Sequence, residues 1–364
     1  MRGPAVKPIV IAAGGTGGHF FPAEALASEL VDRGHRVALM TDARAAAKLP
    51  ESWQGREVYV LRGAGIAGRG LRGVVAVGRL AAGALQARSI LSRIDAAAIV
   101  GFGGYPTVAP VLATRLMRNA PPIVLHEQNA VLGRANRMLS RRATVLALSV
   151  ANTAGIPQGV ATVVTGNPVR PDFTRAVAQR AADGALHILV LGGSLGARVF
   201  SDAVPSALAS LSADLRARLR VVQQCRPEDI TRVGNSYAES GISAELSTFF
   251  TDIPTRLSQA DLVIARSGAS TVAELAVAGR PAILVPLPGA IDDHQTANAQ
   301  ALAQAGAAWV IPQSGIAALG DRIATLLADP AALAAAGQAA RSVAQPDAAS
   351  RLADLVLSHA RVAA

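Results

Sequence analysis

At 364 residues the chain is sized for two hydrophobic cores, given roughly 150 residues per domain. Hydrophobic residues make up 51% and charged residues 16%, which excludes a disordered chain. No apolar run reaches the ~18 residues of a membrane span. The formal net charge is +10, and the single cysteine, Cys225, excludes an intrachain disulfide and fits a reducing compartment. The N-terminal apolar run ends in GGTGGH after about five residues, shorter than a secretory signal needs. A soluble, intracellular, two-domain chain is expected.

In chain order, Pro8–Ala13 reads as an apolar strand and is followed by GGTGGH (14–19). A helix comes next, with Pro22 in its first turn and Ala23, Leu26, Ala27, Leu30 and Val31 at helical spacing. Gly34 ends it, and Arg36–Thr41 reads as the next strand. Strand Ala96–Val100 leads into GFGGYPT (101–107), and Pro122–Leu125 into HEQN (126–129). The pattern then repeats. His187–Leu191 leads into GGSLGA (192–197) and a helical stretch to about Leu219, with strand Val221–Gln224 after it. Leu262–Ala265 leads into RSGASTVAE (266–274), and Pro281–Val285 into PLPGAIDDHQ (286–295).

The two glycine loops lie 178 residues apart, about half the chain. Alternation of strand and helix, run twice, predicts an α/β protein of two doubly wound Rossmann-like domains facing each other across a cleft. The prolines and glycine of GNPVRPD (166–172) mark the seam, giving domains 1–168 and 169–346. The Ala-rich end, broken at Gln345–Asp347, is expected to rejoin the first domain as a helix over 347–364.

Between residues 61 and 142, twelve arginines stand against Asp95 and Glu127, a surplus of ten that equals the whole net charge. Over 62–118 they interleave with Leu71, Val74, Val75, Val77, Leu80, Leu85, Ile90, Leu116 and Met117. Arginines flanking apolar surface suit an anionic membrane face, each worth ~1 kcal/mol near the headgroups. A solvated helix face in an arginine-rich chain explains them equally well. Nucleic acid ranks below both, because aromatics are 3% and no helix-turn-helix, zinc or base-stacking signature is present.

Glycine loops between strand and helix let main-chain N–H groups approach a phosphate at the positive end of the helix. Neither loop satisfies G-x-G-x-x-G, since Phe20 stands at the third glycine position of the first. The Walker pattern and an Asp-x-Asp pair for a divalent ion are also absent. A pyrophosphate leaving group would be stabilised here by helix dipoles, hydroxyls and arginine. No metal and no cofactor are expected.

The motifs GGTGGHFFPA (14–23), GFGGYPT, HEQN, GNPVR (166–170), GGSLGAR (192–198), RSGASTVAE and DDHQTANA (292–299) occur in a set order. Together they resemble the MurG family of two-Rossmann (GT-B) glycosyltransferases, from about Ile9 to Ala299. The resemblance implies inverting, metal-independent transfer of N-acetylglucosamine from UDP-N-acetylglucosamine. The acceptor is the 4-hydroxyl of the muramyl sugar of undecaprenyl-pyrophosphoryl-muramyl-pentapeptide, and the place is the cytoplasmic face of the bacterial inner membrane. By motif match, Ser194 meets the pyrophosphate and Ile253 the uracil through its backbone. Ala269, Ser270, Thr271, Val272, Ala273 and Glu274 line the nucleotide, with Glu274 on the ribose, and Gln295 holds the sugar. Thr16, Gly17, Gly18, Asn129 and Arg170 also match donor-contact positions. The acceptor is expected at Gly14, Gly15, Gly103, Gly104 and Tyr105. One departure is His294, where some members carry a glutamine.

His19 is the candidate general base, because a helix N-terminus disfavours the protonated ring. The alternative is that it only positions the acceptor. Thr271 and Glu274 also have capping-box spacing, so the carboxylate has a structural use as well. Asn129 and Gln295 read equally as loop or cap amides, and Arg170 as a partner of Asp172. Two rival functions remain at this level: a transferase of the same architecture acting on another lipid such as diacylglycerol, and a non-catalytic nucleotide-sugar sensor.

Overall fold

Strands with both faces apolar are what a parallel sheet covered on both sides requires, and the chain supplies two such sets. The computed structural model describes residues 7–14, 17–47, 49–62, 71–175, 184–193 and 196–361. It divides into two units, Met1–Arg170 with Asp347–Ala364, and Pro171–Pro346.

The first unit holds β1 (Ile9–Ala12), β2 (Val37–Thr41), β3 (Glu57–Val60), β4 (Ala98–Gly101), β5 (Ile123–Glu127), β6 (Val145–Leu148) and β7 (Thr162–Val164). Their order in the sheet is β3-β2-β1-β4-β5-β6-β7, all parallel. Ile9 of β1 pairs with Val37 on one side and Ala98 on the other, so the strand order reverses between β1 and β4. In open α/β sheets a ligand crevice forms at that point, outside the carboxyl ends of the strands. Side chains alternate along β1. Ile9 and Ile11 pack with Leu26 and Leu30 of helix Gly17–Asp32, while Val10 packs with Ile90 and Leu91 of helix Leu71–Ile94.

Helix Gly17–Asp32 begins inside the glycine loop, so Pro22 is its sixth residue. That corrects the expectation of Pro22 in the first turn, and it puts His19 there instead. The C-terminal helix Ala348–His359 packs against this helix. Leu352, Ala353 and Val356 are buried in the same cluster, and Arg33 donates to Ser350 Oγ at 2.6 Å. Residues 344–347 separate it from helix Pro330–Val343 of the second unit.

The second unit holds β8 (Leu186–Leu191), β9 (Leu219–Gln224), β10 (Ser243–Ser247), β11 (Leu262–Ala265), β12 (Ala282–Leu284) and β13 (Ala308–Val310). Their order, β10-β9-β8-β11-β12-β13, is again all parallel and reverses between β8 and β11. The helical stretch expected up to Leu219 is two helices, Arg198–Ala209 and Ala213–Arg218. Ser212 splits them by capping the second, its side chain accepting from the Leu215 N–H.

Candidate active site

In the first unit, loops after β1, β4 and β5 converge on His19. The β4 loop turns at Gly103 (φ +81°) and Gly104 (φ +67°), a conformation glycine adopts without strain. A Cβ on Gly103 would lie 3.5 Å from His19 Cε1, and one on Gly104 3.7 Å from its Cδ2, so the imidazole rests against bare backbone. Thr107 holds this loop to β1, donating to the Ala12 carbonyl at 3.1 Å and the Gly103 carbonyl at 2.8 Å.

The end of β5 supplies the next layer. Gln128 Oε1 lies 3.0 Å from His19 Nδ1. The Gln128 amide nitrogen is 3.1 Å from the Phe102 carbonyl and 3.1 Å from His126 Nδ1. His126 is fully buried, and its Nε2 lies 2.9 Å from the Gly166 carbonyl. Burial lowers its pKa to about 4, although the Gly166 carbonyl and the Glu127 charge pull the other way. Glu127 is also buried, and its carboxylate is satisfied by main-chain and amide donors. Oε1 accepts from Asn129 N and Nδ2, both at 3.0 Å, and Oε2 from Gly133 N at 2.8 Å and Asn136 Nδ2 at 2.9 Å. This carboxylate therefore shapes the loop.

Of the residues expected here, His19, Gly103 and Gly104 come together. Tyr105 follows them and is exposed on helix Gly104–Ala113. Gly14 is buried, and a Cβ there would meet Pro106 Cγ at 2.7 Å and Thr41 Oγ1 at 2.9 Å, so close packing requires this glycine. Gly17 and Gly18 open the helix that carries His19, with Gly18 exposed. Asn129 is bound to Glu127 as above. The Arg170 guanidinium lies over the Phe21 ring, 4.9 Å from its centroid. Gly15 and Thr16 lie outside the described residues, as does Ser194 of the second unit.

In the second unit the loop after β8 turns at Gly193 (φ +81°) and Gly196 (φ +68°), ahead of helix Arg198–Ala209. A Cβ on Gly192 would come within 2.3 Å of Ala197 N, so the loop folds tightly on itself. Ile253 is the first residue of helix Ile253–Gln259 and packs half-buried against the core. Ala269, Ser270, Thr271, Val272, Ala273 and Glu274 form the first six residues of helix Ala269–Ala278, all half-buried.

The N-cap of that helix is Gly268, and no side chain caps it. Thr271 and Glu274 therefore stand at its third and sixth positions, which rules out the capping box. The N-terminal end of a helix carries partial positive charge from its main-chain N–H groups. Gln295 is tied to the same loop, with its backbone carbonyl accepting from Ser267 Oγ at 2.8 Å and its amide oxygen from Leu287 N at 3.0 Å. Arg266 braces the loop from below, donating to the carbonyls of Val285 at 3.0 Å and Pro286 at 2.9 Å. Its burial lowers the guanidinium pKa. His294 Nδ1 lies 2.7 Å from the Ile291 carbonyl, so this ring closes the turn before its helix.

Sequence reasoning gave no role to His126, Gln128 or Asn136. The only signal was that HEQN puts four hydrogen-bonding side chains in succession directly after an apolar strand. Among the described residues, no group of three or more His, Cys, Asp or Glu side chains is arranged to hold a metal ion.

Residues 9–148 match the glycosyltransferase family 28 N-terminal domain, and residues 187–352 match the glycosyltransferase family 28 C-terminal domain. A protein of Granulibacter bethesdensis is 54% identical over 98% of this chain and 94% of its own length. It is named UDP-N-acetylglucosamine–N-acetylmuramyl-(pentapeptide) pyrophosphoryl-undecaprenol N-acetylglucosamine transferase. A protein of Gluconobacter oxydans with the same name is 51% identical over 98% of this chain and 99% of its own length. Among solved structures, Acinetobacter baumannii MurG superposes with a TM-score of 0.79 at 33% identity, covering 97% of this chain and 99% of that one. The chain belongs to glycosyltransferase family 28.

Proposed function

We propose that this chain transfers N-acetylglucosamine from UDP-N-acetylglucosamine to the 4-hydroxyl of the muramyl sugar of undecaprenyl-pyrophosphoryl-muramyl-pentapeptide. The observation that carries this reading is identity of 54% and 51%, each across 98% of the chain, with relatives named for that reaction. His19 is the base. Its Nε2 takes the acceptor hydroxyl proton as that oxygen attacks C1 of the sugar from the face opposite UDP. The bond from C1 to the β-phosphate oxygen breaks, UDP leaves with the electron pair, and the configuration inverts. Charge growing on the pyrophosphate is met by main-chain N–H groups opening helices Arg198–Ala209 and Ala269–Ala278, without a metal. Ser194, Ile253, Glu274 and Gln295 are the assigned donor contacts of the second unit, and Gly18, Asn129 and Arg170 those of the first.

The protein works as a peripheral protein at the cytoplasmic face of the inner membrane, where its product feeds peptidoglycan synthesis and, through it, cell shape and division. In support, Val75, Val77 and Leu85 are exposed on helix Leu71–Ile94 beside exposed Arg79 and Arg88. Pelleting with vesicles containing anionic lipid, reversed by salt, is the expected behaviour, and equal binding to neutral vesicles removes this placement. The reaction is tested by offering labelled UDP-N-acetylglucosamine with the muramyl lipid or with diacylglycerol, each in chelator. Label is expected in the muramyl lipid alone. Label in diacylglycerol instead, or none anywhere until a divalent ion is restored, overturns the assignment.

A further inference from the structure

The network behind His19 has only one consistent placement of protons. The Gly166 carbonyl can only accept, so His126 Nε2, 2.9 Å away, carries a hydrogen. His126 is fully buried and its lowered pKa keeps it neutral, so its Nδ1 is a bare acceptor. One end of the Gln128 amide then faces three acceptors: His126 Nδ1 at 3.1 Å, the Phe102 carbonyl at 3.1 Å and the His126 carbonyl at 3.2 Å. Only the NH2 group satisfies them, which settles the amide orientation chemically. The amide oxygen is left facing His19 Nδ1 at 3.0 Å. An acceptor there requires a hydrogen on Nδ1, and a neutral imidazole protonated on Nδ1 is bare on Nε2.

We infer that Gln128, oriented by His126 and the Phe102 carbonyl, is a positioning residue that holds the His19 proton on Nδ1 and leaves Nε2 as the proton acceptor. The inference rests on His19 acting as the base and adds what sets its tautomer. The chain of bonds joins three separate loops, because Gly166 lies 40 residues from His126 and His19 lies 109 residues from Gln128. The catalytic tautomer is thus tied to the β4 and β5 loops having closed correctly. Among the described residues, His19 Nε2 has no protein partner, as a base awaiting a substrate hydroxyl requires.

The test is the ring-nitrogen NMR spectrum of the full chain labelled with 15N-histidine, with His19 assigned by the signal missing in His19→Gln. Wild type is expected to show His19 protonated on Nδ1, and Gln128→Met to show a mixture of tautomers. In the same variant kcat is expected to fall roughly 10- to 10²-fold with KM for UDP-N-acetylglucosamine unchanged. Forcing the wrong tautomer on a serine-protease histidine costs ~10⁴, but here the restraint is only removed. A wild-type His19 protonated on Nε2 overturns the inference, and so does a Gln128→Met enzyme with wild-type kcat. Should Gln128→Met not fold, the wild-type spectrum alone decides. Full turnover by His19→Gln would instead remove the base itself, an outcome distinct from any result at Gln128.

Discussion

Acidification should destabilise the first unit through His126. Its pKa lies at about 4 in the folded chain, lowered chiefly by burial, against ~6.5 for an unfolded histidine. Between those values the unfolded chain binds a proton that the folded chain refuses. The stabilisation is therefore complete above about pH 6.5 and is lost as the pH falls toward 4. A difference of about 2.5 pKa units at 1.36 kcal/mol per unit amounts to roughly 3 kcal/mol over the window. That is a substantial share of the ~5–15 kcal/mol that holds a domain folded. The assay is urea unfolding from pH 7 to pH 5 in a Trp309→Phe background, where buried Trp53 reports on the first unit. His126→Gln, which has nothing to titrate at that place, should start less stable and show a shallower fall with acid. Parallel pH dependence in the two proteins would show that His126 titrates alike folded and unfolded, and the reasoning from burial would fail.

Gly14→Ala should cost about 1–3 kcal/mol, because its methyl would sit 2.7 Å from Pro106 Cγ, and a lowered urea midpoint with unchanged slope is the check. Leu352→Ala should cost ~2–5 kcal/mol and move only the Trp53 transition, since Leu352 is fully buried in the first unit's core. A shift at Trp309 instead would place the C-terminal helix with the wrong unit. Glu274→Ala should weaken UDP binding, read by titration calorimetry, because the carboxylate stands at the sixth position of helix Ala269–Ala278 and not in a capping box.

Much of the fold was readable because parallel strands covered on both faces are continuous apolar runs, as in Ile9–Ala12 and Leu262–Ala265. The exposed strand Thr162–Val164 and the partly exposed strands Glu57–Val60 and Ser243–Ser247 lack that signal and escaped notice. Helix starts were harder. Pro22 and the Thr271/Glu274 pair both suggested boundaries that the glycines overrode, since Gly17 and Gly268 let the chain enter its helix earlier. His19 was legible because an imidazole in a loop of glycines has few local uses. Gln128 and His126 were not, because their roles arise from partners in other loops: the Phe102 carbonyl after β4 and the Gly166 carbonyl after β7. Gly14 reads in sequence like its neighbours in the loop, yet packing against Thr41 and Pro106 explains it.

The most direct measurement is of His19→Ala, with UDP-N-acetylglucosamine affinity and turnover on the muramyl lipid determined side by side. If the first unit supplies the base and the second unit grips the donor, affinity stays within about twofold while kcat falls by ~10²–10⁴. Turnover near the wild-type rate, or affinity lost in step with turnover, would contradict that division of labour.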